Sequence, residues 1–345
     1  MPLHERPEFR ALIEQTAAPL GKGMMGAAIV EKDYWITEAL RAVAAREFLN
    51  VIFKGGTSLT KAWRLTARLS EDIDLLVDPT GLSRRQRDTC MKAIATAVQD
   101  QLGLPMERGS YSEGKHLTAE FSYPTALGQP LLRPSVLLEI GTRGGPEPSR
   151  MCSVDSLMSR ALEAAGAPAM TQPPAFPVRT LHYQRTFVEK LFAIHQAVVR
   201  AASDDSALQR QGRHYYDLWC LWRQTDVQAY LHSDEFGRVA TEVAAIGERY
   251  WGKHHSAPDD LDFGRSPAIR PDDALQARIA AAYDADRTLI FGGAPAFSEI
   301  LTTLQESVFP GPSELDPPGL HGLNGLGTQP RRRTGTSSGP KPPGS

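Results

Sequence analysis

The period of the apolar pattern changes several times along this chain, and each change marks an element. From Glu8 to about Ala45 apolar residues recur at helical spacing, with a break at Pro19-Leu20-Gly21. The second of these helices, AAIVEKDYWITEALRAVAA, turns Ile29, Val30, Tyr34, Leu40 and Val43 inward. Val51-Ile52-Phe53 is a short apolar run ended by Gly55-Gly56, which predicts a strand and a tight turn. Thr57 or Ser58 then caps a helix running through Trp63, since a hydroxyl there can satisfy free N–H groups of the first turn. Asp72 to Val77 alternates, with Ile73, Leu75 and Val77 on one face and Asp72, Asp74 and Leu76 on the other.

Ser83 opens a helix to about Leu102 that buries Cys90, Ile94, Ala97, Val98 and Leu102. Leu117, Ala119, Phe121 and Tyr123 alternate again, as do Val136, Leu138 and Ile140, with Leu137 and Glu139 opposite. Strands divided unevenly by helices and hairpin-like gaps predict an α+β fold with a mixed sheet flanked by helices. Residues 142–177 are rich in Gly, Pro and Ala around one short helix and read as a connection. From 184 to 232 the pattern is strongly helical, with Phe187, Leu191, Ile194 and Val198 on one face and Tyr215, Leu218 and Trp222 on a second. Helices continue to about Val308, more loosely at 253–271. The expected organisation is N-terminal helices over 1–45, a sheet domain with its connecting segment over 46–177, and a helical C-terminal domain over 178–309. A Pro/Gly/Arg tail over 310–345 has too few apolar residues to offset its ordering entropy and is expected to be disordered.

Composition narrows the classes. The chain has 345 residues, 41% of them hydrophobic, and a net charge of -2, so nothing global draws it to nucleic acid. Cys90, Cys152 and Cys220 lie far apart without a CxxC pair and read as reduced thiols. No apolar stretch approaches the ~18–20 residues of a membrane span. The N-terminus carries acids early and lacks the apolar core of a signal peptide, so a cytoplasmic protein without a membrane partner is expected.

The chemistry concentrates in FKGGTSLTKAWRLTARLSEDIDLLV, Phe53 to Val77. Two carboxylates at i and i+2 on one strand face have Cα atoms roughly 6.5–7 Å apart, so Asp72 and Asp74 can lean together over divalent ions as two-metal phosphoryl-transfer sites do. Magnesium takes carboxylates together with phosphate oxygens and water. Gly55-Gly56-Thr57 supplies the phosphate cradle, because missing side chains let phosphate oxygens reach N–H groups at a helix start. A nucleoside triphosphate held through magnesium is the ligand this combination suits. A lone Gly-Gly is most often a turn and a lone DxD most often a surface loop. The two in this order, sixteen positions apart with the right alternation, are far more specific.

GGTSL, a helix and RLSEDIDL resemble the signature of the polymerase-β-like nucleotidyltransferase superfamily, most closely its AbiEii/AbiGii toxin branch with the MenT toxins. EKDYW at Glu31–Trp35, LLEI with Glu139, EKLFAIH at Glu189–His195 and RHYYDLW at Arg213–Trp219 extend the resemblance over roughly Glu31 to Val308. It implies a minimal nucleotidyltransferase domain followed by a helical domain, and transfer of a nucleoside monophosphate with release of pyrophosphate. Asp72 and Asp74 match the metal-binding pair, and Glu139 fits the third carboxylate, beside the alternative of an edge-strand acid facing solvent. The match gives Lys190 the triphosphate, where the residues alone suggest a solvated helix lysine, and makes Asp217 a residue orienting Lys190 or the nucleotide rather than a surface partner of Arg213. Lys54, Lys61, Arg64 and Arg68 around the glycine turn can meet phosphates, although Arg64 is better read as part of a charged helix face, and Ser70, on the strand face of Asp72, can touch the triphosphate or be a modification point. No metal falls to His195 or His214, both read as helix residues. The implied role is the toxin of a toxin–antitoxin (abortive infection) system with a separately encoded antitoxin, acting on RNA, with the tRNA 3′ end as leading acceptor. Transfer to a small molecule or a protein side chain, and nucleotide binding without turnover, remain the alternatives.

Overall fold

The computed structural model describes residues 2–48, 50–167, 173–252 and 255–310. The tail expected to be disordered lies, from 311 onward, outside the described residues.

Helices α1 (Phe9–Ala17) and α2 (Gly23–Ala45) flank the predicted break at Pro19, where a single 3-10 turn ends on Gly21 at φ +65°. Helix α2 is buried on nearly every side, including its charged residues Glu31, Lys32 and Asp33. Each of the three is partnered, as burial of a charge demands. Glu31 accepts hydrogen bonds from the Thr125 hydroxyl and the Ala126 N–H, and Lys32 donates to the carbonyls of Arg133 and Ser135. Asp33 pairs with Lys61 at 2.7 Å and accepts from the Leu157 N–H at 2.7 Å, at the start of α5 (Leu157–Ala164). The EKDYW motif is thus a set of cross-braces under the sheet.

Strands β1 (Val51–Lys54), β2 (Asp72–Val77), β3 (Met106–Ser112), β4 (His116–Ser122), β5 (Ser135–Gly141), β6 (Ser149–Val154) and β7 (Phe176–Leu181) form one mixed sheet in the order β3-β4-β5-β2-β1-β7-β6. Strand β2 runs antiparallel to β1 and parallel to β5, and β1 runs parallel to β7. Phe53, Ile73, Leu75, Leu138 and Ile140 point to the back, into a core shared with α1, α2 and α4 (Arg84–Leu102). Ser83 begins α4 as expected, through a reciprocal capping box with Gln86.

Two expectations change. Residues 142–177, read as a connection, contribute β6 and begin β7, and so complete the sheet beside β1. Helix α3 (Gly55–Lys61) starts at the glycines and stops short of Trp63. Thr57 and Ser58 therefore lie inside it, and their hydroxyls donate to the carbonyls of Asp72 and Gly55 instead of accepting from a first turn.

The front of the sheet faces a second core built from α6 (Tyr183–Arg200), α7 (Gly212–Trp222), α8 (Thr225–Leu231), α9 (Asp234–Trp251), α10 (Asp273–Asp286) and α11 (Phe297–Thr302). The helical stripe Phe187, Leu191, Ile194 and Val198 is buried there with Tyr215 and Leu218. Leu59 and Trp63 enter the same cluster, and the Trp63 indole donates to the Leu181 carbonyl at 3.0 Å, which ties the helices to the sheet. Among the described residues no helix is long and apolar enough to cross a membrane.

Candidate active site

Period-two alternation and strand register together assemble the acidic side of the site. On the front face Lys54, Asp74 and Glu139 stand in one row across β1, β2 and β5, Asp74 paired in register with each of the others. Asp72 lies two residues back on the same face of β2. Glu139 is exposed, yet its strand lies between β4 and β2, so it is not an edge-strand acid.

The glycine pair is held against these acids. Gly55 adopts φ +74°, and a Cβ there would lie 2.0 Å from Oδ2 of Asp74. A Cβ on Gly56 would lie 2.2 Å from Nη2 of Arg68 and 3.0 Å from Oγ of Ser70. Both positions need glycine, one for backbone sign and space, the other for space alone.

The basic side comes from α6 and α7. Asp217, fully buried, receives two 2.7 Å hydrogen bonds from the Arg68 guanidinium and a 2.7 Å contact from Nζ of Lys190. Nζ of Lys190 also lies 3.1 Å from Nδ1 of His214. A cavity of about 210 Å³ between the two sides is lined by Gly55, Gly56, Ser70, Asp72, Asp74 and Glu139, and by Lys190 and Arg213 facing them.

Protonation follows from this crowding. Burial pushes the Asp74 carboxyl up to about 7, the facing Glu139 adds to the push, and Lys54 offsets part of it. Glu139 is likewise raised, by partial desolvation of its carboxyl among the neighbouring side chains and then by Asp72, while its hydrogen bond with Asp74 acts the other way. Burial alone would raise Asp217, but Arg68 and Lys190 outweigh it and hold the carboxyl well below the usual range. Burial and the neighbouring charges of Lys190 and Arg213 hold His214 far below its ordinary value, so it is neutral.

A family model described as nucleotidyl transferase AbiEii toxin, type IV toxin–antitoxin system, matches residues 38–303. The chain belongs to the AbiEii nucleotidyl transferase toxin family. It is therefore one of a family of nucleotidyltransferase enzymes that act as toxins. Among solved structures it is similar to MenT4, a nucleotidyltransferase toxin from Mycobacterium tuberculosis H37Rv, at 16% identity. That match covers 86% of this chain and 99% of the other with a TM-score of 0.37, a distant likeness that carries no residue roles. No curated protein matches the chain significantly.

Of the residues singled out in this AbiEii-family sequence, the fold gathers Gly55, Gly56, Ser70, Asp72, Asp74, Glu139 and Lys190 around one cavity. Asp217 lies behind Lys190, away from that lining. Thr57 is buried and turned to the Asp72 carbonyl. Lys54 pairs with Glu189 at 3.0 Å and lines the neighbouring cavities. Lys61 is buried against Asp33 and Thr37, where no phosphate reaches it. Arg64 pairs with Asp155 at 2.7 Å. Arg213, His214 and Glu189 also line the cavity, and sequence reasoning assigned them no role there. The signal was within reach, because all three lie in the quoted motifs EKLFAIH and RHYYDLW.

The carboxylates suit a hard cation. Among the described residues no three or more His, Cys, Asp or Glu side chains close a metal cage by themselves. Magnesium does not require one, since it is commonly held by one or two carboxylates and completes its octahedron with water and substrate phosphate. Asp74 and Glu139, hydrogen-bonded to each other and raised first by desolvation and then by the neighbouring carboxylates Glu139 and Asp72 respectively, are oxygen donors that a cation would relieve.

Proposed function

We propose that this chain is a magnesium-dependent nucleotidyltransferase that moves a nucleoside monophosphate from an NTP to the 3′ end of an RNA, tRNA being the leading acceptor. It would act as the toxin partner of a separately encoded antitoxin. The supporting observation is the facing of two sides across one cavity: Asp72, Asp74 and Glu139 on the sheet, Lys190 and Arg213 on the helices.

The triphosphate is assigned to the wall of the cavity that Gly55 and Gly56 form at the start of α3, where helix-start N–H groups suit phosphate oxygens. Ser70 adds a hydroxyl, and Lys190 and Arg213 meet the charge that gathers on the leaving pyrophosphate. Asp217 and Arg68 fix the Lys190 ammonium, and neutral His214 beside it adds no competing charge. Asp72, Asp74 and Glu139 would hold magnesium, which supplies neutralisation of phosphate charge and activation of the attacking oxygen. Glu139, the exposed member of the row, is assigned the proton of the acceptor hydroxyl on this reading. Catalysis on this reading is positioning and charge neutralisation.

The test incubates the chain with each α-labelled NTP, magnesium and total RNA. Label in RNA, lost in Asp74→Ala, supports the assignment; label in protein or in small molecules transfers it to another acceptor. Binding of NTP without pyrophosphate release removes turnover altogether.

A further inference from the structure

The carboxylate row is a divide between two cavities. Asp74 and Glu139 line both the cavity with the glycines and a second one of about 380 Å³ on their other side, which reaches Ser110, His116, Thr118 and Arg143. Arg143 in turn lines a third cavity, of about 420 Å³, together with Arg84, Arg87, Lys115, Arg249 and Tyr250. In-line displacement brings the incoming hydroxyl from the side opposite the leaving group. With the triphosphate on the glycine side, a placement that rests on the proposed function, the acceptor enters from the second cavity and the rest of it extends toward the third.

The third cavity is built for anions. Among the described residues five cations line it and no acid does, in a chain whose net charge is -2. Arg84 is drawn aside by Glu113 at 2.9 Å, an exposed pair of little strength. Nε of Arg143 and Nε of Arg87 are buried without a hydrogen-bond partner among the described residues. The Arg143 guanidinium lies 5.4 Å from the Tyr250 ring centre and 5.5 Å from that of Trp251, whose face is exposed. Cations interleaved with aromatic faces are what a single nucleic-acid strand uses, its phosphates on the charges and its bases stacked on the rings. A small acceptor would occupy only the second cavity and leave this charge unmatched.

We infer that the pocket of Arg84, Arg87, Lys115, Arg143 and Arg249 binds backbone phosphates of a single-stranded nucleic acid whose terminal hydroxyl reaches Asp74 and Glu139. Lys115 on the β3–β4 turn and Arg249 on α9 are both exposed, so reversing their charge leaves the fold intact. The experiment measures fluorescence anisotropy of a labelled single-stranded RNA ending in a free 3′ hydroxyl, without NTP, over a range of salt. The chain is compared with Lys115→Glu/Arg249→Glu and with Arg143→Ala. Affinity should fall about tenfold or more in the double variant, and the slope of log affinity against log salt should become shallower by about 1.4 for two lost phosphate contacts. Equal affinity and slope in chain and variants overturns the inference, as does a wild-type chain that binds polyglutamate but not the RNA. Because the assay contains no NTP, absence of nucleotidyl transfer would overturn the carboxylate site's proposed function while the binding result still decides the pocket. Arg10→Glu, exposed on α1 outside the pocket and the carboxylate site, should keep the parent's RNA affinity.

Discussion

Gly55 and Asp74 occupy one another's space: a Cβ on the glycine would fall 2.0 Å from Oδ2 of the aspartate. The first helical residue after β1 is thereby packed against the carboxylate in the centre of the row. Gly55→Ala should fold, because the strain falls on one helix-start residue at φ +74° and costs on the order of 1 kcal/mol beyond the side-chain clash. Displacement of Asp74 by about an ångström should lower nucleotidyl transfer by roughly 100-fold. Comparing kcat with the melting temperature decides it: an active Gly55→Ala enzyme would show that the Asp74 side chain can move without consequence.

Asp74 and Glu139 face each other in register, and like charges in such a pair oppose folding. Asp74→Asn keeps the shape and removes one charge. Without added metal the variant should melt higher than the parent at pH 8, by about 1–2 °C for each kcal/mol of relief in a chain of this size. Transfer should fall by about 10²–10³ or more. A lower melting temperature, with activity also lost, would mean the carboxylate holds the fold together and is not kept at a cost to it.

How much of this was legible in the sequence depended on whether a residue's partners were local. Asp72 and Asp74 announced themselves because strand alternation fixes which side chains share a face, and Glu139 followed from the same rule on β5. The β3 strand did not, since Met106–Ser112 lacks an apolar face and is held as a strand by its ladder to β4. The β6 and β7 strands were hidden in a Gly/Pro-rich segment, where Pro177 stands within β7 itself. Lys61 misled for the same reason in reverse. Its neighbours in sequence point to phosphate, while its partner Asp33 is 28 residues away. Arg68 and Asp217 are 149 residues apart and no spacing rule joins them.

Thr57 tests the difference between facing a ligand and supporting the residue that does. Its hydroxyl donates to the carbonyl of Asp72 from within α3 and is buried. Thr57→Val leaves that carbonyl without its partner, which should cost about 1–3 kcal/mol of stability. The KM for NTP should change little if the hydroxyl does not meet phosphate. A rise in KM with unchanged stability would return Thr57 to the nucleotide site.

Asp217 joins Arg68 and Lys190 at 2.7 Å contacts with no exposure to solvent, so its removal strands two buried cations. Asp217→Ala should therefore lose about 3–5 kcal/mol of stability at neutral pH. The pH dependence has a definite sign. The folded carboxyl is depressed below its ordinary value of 3.8 by Arg68 and Lys190, against the opposing effect of burial. Its contribution is complete above that ordinary value and is lost as pH falls from there through the folded-state pKa. Denaturant titrations of the parent and of Asp217→Asn should thus run apart at pH 6, begin to approach one another below about pH 4, and converge only at the acid extreme where the folded carboxyl takes up its proton. Other acids titrate in the same range, but they do so in both chains, so the difference curve isolates residue 217. Parallel curves down to the lowest pH would show that the charge on Asp217 contributes nothing that the neutral amide does not. The bidentate bond to Arg68 would then be a packing contact, with no hold over the lysine it places in the cleft.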